Sequence, residues 1–148
     1  MCKKLAIVLD VDGVLLKSDI IHQEIFELKL KGDNMWDYFY EHCNSERIPF
    51  IYEMLPLLYS FDSKVHILLS TARNEKCRKG TERKLKATFP EWKKLYMRKD
   101  GDYRSSAEVK KDHLEEIQEN YNILAFIDDD LSNCQMARDM GIVALRKV

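Results

Sequence analysis

The run Leu5-Ala6-Ile7-Val8-Leu9 passes without a polar break into Asp10-Val11-Asp12-Gly13. Unbroken apolar character over five residues describes a strand buried on both faces, the hallmark of a parallel sheet interior. Val65–Leu69 and Ile123–Ile127 read the same way, Leu95–Met97 is a shorter strand, and Ile142–Leu145 closes the sheet. Helical spacing occupies Glu75–Phe89, Ala107–Asn120 and Ser132–Met140. Ser105 with Glu108 three residues on forms a capping box for the second of these, and Gly141 ends the third. Strands alternating with helices predict an α/β fold: about five parallel strands, helices on both faces, within one domain spanning residues 1–148.

Residues 16–60 break this rhythm, being far longer than one crossover requires. Within them Ile20–Lys31, Trp36–His42 and Pro49–Tyr59 read as helices. An insertion of this size just past a strand's carboxyl end is expected to form a small helical cap, a lid over the site.

Composition excludes several classes. No apolar stretch approaches the ~20 residues that cross a bilayer. The apolar run near the start ends after five residues in an aspartate and has no small-residue cleavage site, so a cytoplasmic protein is expected. Cys2, Cys43, Cys77 and Cys134 lack CxxC spacing, and His22, His42, His66 and His113 show no ligand spacing. The net charge of −1 conceals an asymmetry: residues 73–111 hold 14 Lys/Arg and 6 Asp/Glu, a local balance of +8. That segment suits an anionic partner, or is simply a lysine-rich solvated helix face.

Chemistry gathers at the strand ends. Asp10 and Asp12 place two carboxylates at the tip of the first strand, one able to attack phosphorus and the other to handle a leaving-group proton. Ser70-Thr71-Ala72-Arg73 follows the second strand, where a hydroxyl and backbone N–H groups at a helix start suit a phosphate oxygen. Lys110 lies early in the helix begun by Ser105. Asp128-Asp129-Asp130 follows the strand ending at Ile127 and, facing Asp10, makes a hard-oxygen site suited to Mg²⁺.

The order DxDG, Ser/Thr, Lys, Asp-Asp resembles the haloacid dehalogenase (HAD) superfamily of phosphotransferases, over residues 5–146. The resemblance implies a Rossmann-like fold and an aspartyl-phosphate intermediate. It makes Asp10 the nucleophile and a Mg²⁺ ligand, and Asp12 the acid–base residue with its carbonyl on the metal. Thr71 would bond the phosphoryl group and Lys110 would neutralise charge. Counting back from Ala137-Arg138 and Gly141 puts Asp129 at the metal-ligand position of the last acidic motif and Asn133 at its second position. Asp128 is then a supporting acid, or itself a ligand.

Three local strings are closer still: Trp36-Asp37-Tyr38-Phe39; Thr71-Ala72-Arg73 with Arg78 and Thr81; and Met97-Arg98-x-x-Gly101-Asp102-x-Arg104 with Lys110. Together they are similar to the phosphatase domain of phage-type polynucleotide kinase-phosphatases, which implies removal of 3′-phosphates from nucleic-acid ends. Substrate contacts would come from Ser70, Ala72, Arg73, Arg98 and Arg104. Ser106 stands where that pattern commonly has Asp. No GxxxxGK[ST] loop occurs in the sequence, so a kinase or ligase activity would belong to a separate partner.

Arg98 and Arg104 have a second use open to them, ion pairing with Asp100, Asp102 or Glu108. Trp36 and Phe39 either stack on a base or pack the lid. Two other functions fit the same residues: a nucleotide or small-metabolite phosphatase, and a receiver-like phospho-acceptor domain. Asp12 speaks against the latter, because an acid–base residue beside the nucleophile promotes turnover.

Overall fold

The computed structural model describes residues 2–148. Its elements are β1 (Lys4–Leu9), α1 (Asp19–Glu27), α2 (Asp33–His42), α3 (Leu55–Ser60), β2 (Val65–Asn74), α4 (Arg78–Thr88), β3 (Lys94–Arg98), α5 (Ser106–Gln118), β4 (Tyr121–Asp128), α6 (Leu131–Asp139) and β5 (Ala144–Arg146). Short 3-10 turns at Tyr52–Met54 and Glu75–Cys77 lead into α3 and α4. The five strands form one parallel sheet in the order β3-β2-β1-β4-β5. The expected α/β architecture is therefore present, with the apolar β1 at its centre.

Strand alternation sorts the core into two clusters. Ile7, Leu9, Ile67 and Leu69 face one side of the sheet with Leu85 of α4 and Phe89 just past its end. Ala6, Val8 and Leu68 face the other with Leu114 and Ile117 of α5 and Cys134 and Ala137 of α6.

The long insertion holds the helices α1, α2 and α3, packed onto the sheet body. Its Ile21, Ile25, Phe39, Cys43, Ile48, Phe50, Met54 and Leu58 are buried in the same cluster as Ile7, Leu9 and α4. Its two ends are stitched together beside the site: Ile51 N–H donates to Leu15 O at 2.7 Å and Lys17 N–H to Pro49 O at 3.0 Å. The apolar residues of these helices are too numerous to leave facing a solvent-filled cleft, so they complete one layer of the body.

Most boundaries follow local chemistry. Ser105 and Glu108 make the reciprocal capping bonds expected, Glu108 N–H to Ser105 Oγ at 3.2 Å and Ser105 N–H to Glu108 Oε2 at 3.0 Å. Gly141 takes φ +79° and ends α6, its N–H donating to Arg138 O while Ile142 N–H donates to Ala137 O. The helix expected over Pro49–Tyr59 begins only with the turn at Tyr52 and α3 at Leu55, and a second boundary is also corrected. The helix expected from Glu75 begins at Arg78, because β2 runs on to Asn74, whose side chain caps the intervening turn by accepting from Lys76 N–H at 2.9 Å. No helix among the described residues is long and apolar enough to cross a membrane.

Candidate active site

The carboxyl ends of β1, β2 and β4 converge on a carboxylate–ammonium cluster. Asp10 extends β1 by one residue, its N–H donating to Ile127 O of β4 at 2.9 Å. Asp10 Oδ1 accepts from Val11 N–H and lies 2.8 Å from Lys110 Nζ. The same Nζ donates to Asp128 Oδ2 at 2.7 Å. Lys110 is only 2% exposed, so one buried ammonium bridges two buried carboxylates. Burial pushes the Asp10 carboxyl up, an effect that Lys110 opposes and the charges of Asp128 and Asp12 reinforce. Burial also works against the Lys110 charge, but Asp10 and Asp128 outweigh it and hold its pKa above the ordinary lysine range.

Asp128 is heavily engaged. Its Oδ1 accepts from Asp130 N–H at 2.9 Å, and its Oδ2 accepts from Asn133 Nδ2 at 3.1 Å besides Lys110. Asp129 is the least buried of the acidic three, and oxygens of Asp10, Asp128 and Asp129 all lie within 4.8 Å of one another. Asn133 Oδ1 is buried without a hydrogen-bond partner. An all-oxygen donor set of this kind fits a small hard cation. Asp129 reaches the cluster only because residue 13 lacks a side chain: a Cβ on Gly13, where φ is +84°, would stand 2.1 Å from Asp129 Oδ2.

Asp12 belongs to a second cluster. Arg73 clamps it with two bonds, Nε to Oδ2 at 2.9 Å and Nη2 to Oδ1 at 2.6 Å, and Ser18 Oγ donates to the same Oδ1. Burial opposes the Asp12 charge, yet the Arg73 charge and hydrogen bonds, helped by Ser18, hold its carboxyl below the usual range. The remaining donors of Arg73 reach Asn44 Oδ1 at 2.7 Å, Thr81 Oγ1 at 3.1 Å and Cys43 O at 3.3 Å. Its guanidinium carbon stands 5.7 Å from the centre of the Phe39 ring.

The structure thus brings Asp10, Lys110, Asp128 and Asp129 into one cluster, sets Asp12 in a neighbouring one, and treats the other sequence-derived residues differently. Thr71 is fully buried in the extended end of β2, where the ladder with β3 is interrupted between Ser70 and Asn74, and its Oγ1 accepts from Arg73 N–H at 3.1 Å. It lies on a strand, not at the helix start that the sequence suggested. Ser70 points to the opposite face and is bonded to His113 Nδ1 at 2.8 Å; His113 Nε2 meets Met97 O at 3.1 Å. With its carbonyl accepting from Arg98 Nε at 3.0 Å, Ala72 is drawn toward β3.

Arg73 presents no free donor to a ligand, being tied to Asp12, Asn44, Thr81 and Cys43. Arg98 also donates to Asp102 O at 3.1 Å and Arg104 O at 2.6 Å, bracing the loop that follows β3. Arg104 pairs with Asp102 at 2.8 Å and Asp112 at 2.6 Å. Phe39 packs in the core while Trp36, in edge contact with it, stays half-exposed. Ser18, Asn44 and Arg146 were not singled out by sequence reasoning. Ser18 follows the DxDG loop by only a few residues, a local signal that was available. Asn44 and Arg146, whose Nε donates to Asp129 O at 3.1 Å, come from distant segments and carry no local signal.

The sequence matches the family profile described as "Polynucleotide kinase PNKP phosphatase domain" over residues 4–147. None of the curated protein sequences matches the chain. Among solved structures, it is similar to a chain of the Pnkp1/Rnl/Hen1 RNA repair complex, with 22% identity and TM-score 0.77 over 98% of this chain and 42% of that one. It thus spans less than half of that relative. A haloacid dehalogenase-like hydrolase, SP0104 from Streptococcus pneumoniae, aligns with TM-score 0.70 and 18% identity, covering 99% and 85% of the two chains. A HAD family enzyme from Bacteroides thetaiotaomicron, described in complex with magnesium and inorganic phosphate, aligns with TM-score 0.57 and 16% identity over 98% and 94%. At these identities the structural matches establish the fold.

Proposed function

The chain belongs to the polynucleotide kinase PNKP phosphatase-domain family, and on that premise we propose that it is a Mg²⁺-dependent phosphomonoesterase acting on the 3′-phosphate of nucleic-acid ends or nucleotides. The observation that carries this reading is the buried Asp10–Lys110–Asp128 bridge with Asp12 and Asp129 at the same strand ends. In the reaction Asp10 attacks phosphorus in line and forms an aspartyl-phosphate; Asp12, which Arg73 and Ser18 hold as a carboxylate in the resting site, takes up a proton from solvent as substrate binds and passes it to the departing oxygen. Asp12, now a carboxylate, takes a proton from the water that hydrolyses the intermediate. Arg73 and Ser18 fix the direction in which Asp12 points. Lys110 balances charge on Asp10 and on the phosphoryl group, and Asp128 fixes Lys110. Side chains of Asp10 and Asp129, with the Asp12 carbonyl, would hold the cation, Asp128 serving as support because its oxygens are already engaged. When bound, Mg²⁺ supplies neutralising positive charge at the phosphoryl oxygens.

A second reading, a small phosphate monoester as substrate, is favoured by one observation: Arg73, Arg98 and Arg104 all donate to groups of the protein itself. The similar Pnkp1 chain is described in a complex with Rnl and Hen1. A separate kinase or ligase partner and a cytoplasmic location complete the proposal.

The test is phosphate release from a 3′-phosphorylated oligonucleotide, a matched 5′-phosphorylated strand, a 3′-nucleotide and an aryl phosphate, with and without Mg²⁺, using Asp10→Asn as the blank. Selective release from the 3′ end, weakening as salt rises, supports the nucleic-acid reading. Release from the small substrates alone moves the function to metabolite dephosphorylation, and release unaffected by Asp10→Asn removes the mechanism.

A further inference from the structure

Arg73, Arg98 and Arg104 spend their donors inside the protein, so the backbone of a polynucleotide must be held by other groups. Exposed cations stand close by. Lys79 and Arg83 are exposed on α4, four residues apart, which places them on one face about 6 Å from each other along the helix. Lys76 precedes them in the turn leading into α4, and Lys99 is exposed in the loop that follows β3. Among the described residues Lys79, Arg83 and Lys99 pair with no carboxylate, and Lys76 meets only Asp100, at 3.4 Å in a solvated pair. Asn74, next in sequence to Arg73, donates from Nδ2 to Asp100 Oδ1 at 3.3 Å. The start of α4 and the loop after β3 therefore meet beside the Arg73–Asp12 clamp.

The same loop carries Tyr103, 94% exposed. A ring so exposed adds little burial to the fold, yet the backbone on both sides of it is fixed. Arg98 Nη1 donates to Asp102 O at 3.1 Å and to Arg104 O at 2.6 Å, and Arg104 N–H donates to Asp102 Oδ1 at 3.1 Å. Three residues on, Ser106 Oγ accepts from Asn133 Nδ2 at 3.2 Å, and that nitrogen also donates to Asp128 Oδ2 at 3.1 Å. Three residues span at most about 10 Å of chain, so Tyr103 stands at the rim of the carboxylate cluster.

We propose that this rim is a docking surface for the single-stranded segment that leads to a phosphorylated nucleic-acid end, with Tyr103 stacking on a base and Lys76, Lys79, Arg83 and Lys99 lying along the phosphates. The proposal rests on the nucleic-acid reading of the site and supplies the surface which that reading otherwise lacks. An aromatic ring held by rigid backbone beside unpaired cations is the combination that binds single strands without regard to sequence. A single strand is specified because its bases offer free faces to a ring, whereas bases inside a duplex are stacked on their neighbours. DNA and RNA share this chemistry.

Fluorescence anisotropy of labelled DNA and RNA single strands with 3′-hydroxyl ends, and of a blunt DNA duplex, reads binding without any turnover. Both single strands should bind the full chain with an affinity that falls as salt rises. Replacing Lys79 and Arg83 together by Ala should make the slope of log K against log salt shallower by about 1.4, the share of two phosphates. Tyr103→Ala should weaken single-strand binding about tenfold, while Tyr103→Phe, which keeps the ring, should not. The duplex should bind more weakly and ignore Tyr103→Ala. All three side chains are exposed, so the variants should keep the thermal midpoint of the unaltered protein. An unchanged slope in the double variant, or unchanged affinity in Tyr103→Ala, would overturn the surface even where 3′-phosphate release is found. Binding that follows these expectations in a protein releasing no phosphate from a 3′-phosphorylated strand would sustain the surface and overturn the phosphatase reading. Failure of the unaltered protein to bind any strand would overturn the surface and the nucleic-acid reading together, leaving small phosphate monoesters as substrates.

Discussion

Arg73 meets Asp12 side-on, two guanidinium nitrogens against two carboxylate oxygens at 2.9 and 2.6 Å. The geometry is the bidentate fork that arginine forms and lysine cannot reproduce. Under the proposed mechanism it gives this arginine the role of aiming Asp12.

The two roles separate in kinetics. Arg73→Lys keeps the charge and loses the fork, so Asp12 swings away from its working direction. Under the proposed activity, kcat should fall on the order of 10²-fold while KM for an aryl phosphate changes little. A rise in KM with kcat preserved would instead return Arg73 to the substrate. Arg73→Ala, which leaves a buried carboxylate unpaired, should also cost about 3–5 kcal/mol of stability in urea unfolding.

Lys110 separates two carboxylates that would otherwise face each other in the interior. Replacing it with Met removes the bridging cation and leaves Asp10 and Asp128 repelling each other inside the protein. The Asp10 carboxyl, already raised by burial, then loses the cation that opposed the rise, so the native state binds more protons than the unfolded chain. Lys110→Met should therefore unfold more easily at pH 7 by about 3–5 kcal/mol and regain stability as the pH is lowered toward about 5. Denaturant titrations of the variant and the unaltered protein at several pH values measure this, and a gap between the two that fails to narrow in acid would refute the bridging role.

Gly13 admits the Asp129 carboxylate to the cluster, since a methyl group on residue 13 would stand 2.1 Å from Asp129 Oδ2. Gly13→Ala must both adopt a positive φ and displace Asp129, at a stability cost of about 1–3 kcal/mol. The sharper consequence concerns the cation. Millimolar Mg²⁺ should raise the thermal midpoint of the unaltered protein, because a ligand that binds only the folded state stabilises it. That rise should vanish in Gly13→Ala and in Asp129→Asn. Retention of the full shift in both would place the cation elsewhere.

Local chemistry made most of the sheet and the acidic site readable. Asp10, Asp12 and Asp128 each follow an apolar run whose burial is evident from its own residues, and Lys110 follows a capping box. What escaped was set by contacts between distant segments. Arg73 is held by Asp12, Asn44, Thr81 and Cys43, a constellation that no spacing announces. The insertion's length was visible and its partner face was not; Ile21, Phe39 and Leu58 share the core of Leu9 and Leu69. Within the +8 segment, Arg78 pairs with Glu75 and Glu82 and Arg104 with Asp102, acids the balance already includes, and only Asp112 adds a negative partner from outside it.

His113 gives the fold a defined response to acid. It is buried between Ser70 Oγ and Met97 O, and burial, aided by the Lys110 charge, lowers its pKa to about 4, against a smaller opposing effect of the Met97 carbonyl. In the unfolded chain the imidazole titrates near about 6.5. Between these values the unfolded chain takes up a proton that the native chain does not, so unfolding becomes easier as the pH falls. Stability attributable to His113 is complete above about pH 6.5 and lost by about pH 4, a change of about 3 kcal/mol. Carboxylates held below their ordinary range, Asp12 among them, add acid sensitivity of the same sign, so the measurement must be differential. His113→Gln keeps a polar group between Ser70 and Met97 but cannot titrate. Unfolding free energies of both proteins from about pH 4 to about 7.5 should show a shallower slope for the variant, with the two curves converging toward acid. Parallel curves would mean that native His113 takes up its proton as readily as the unfolded chain.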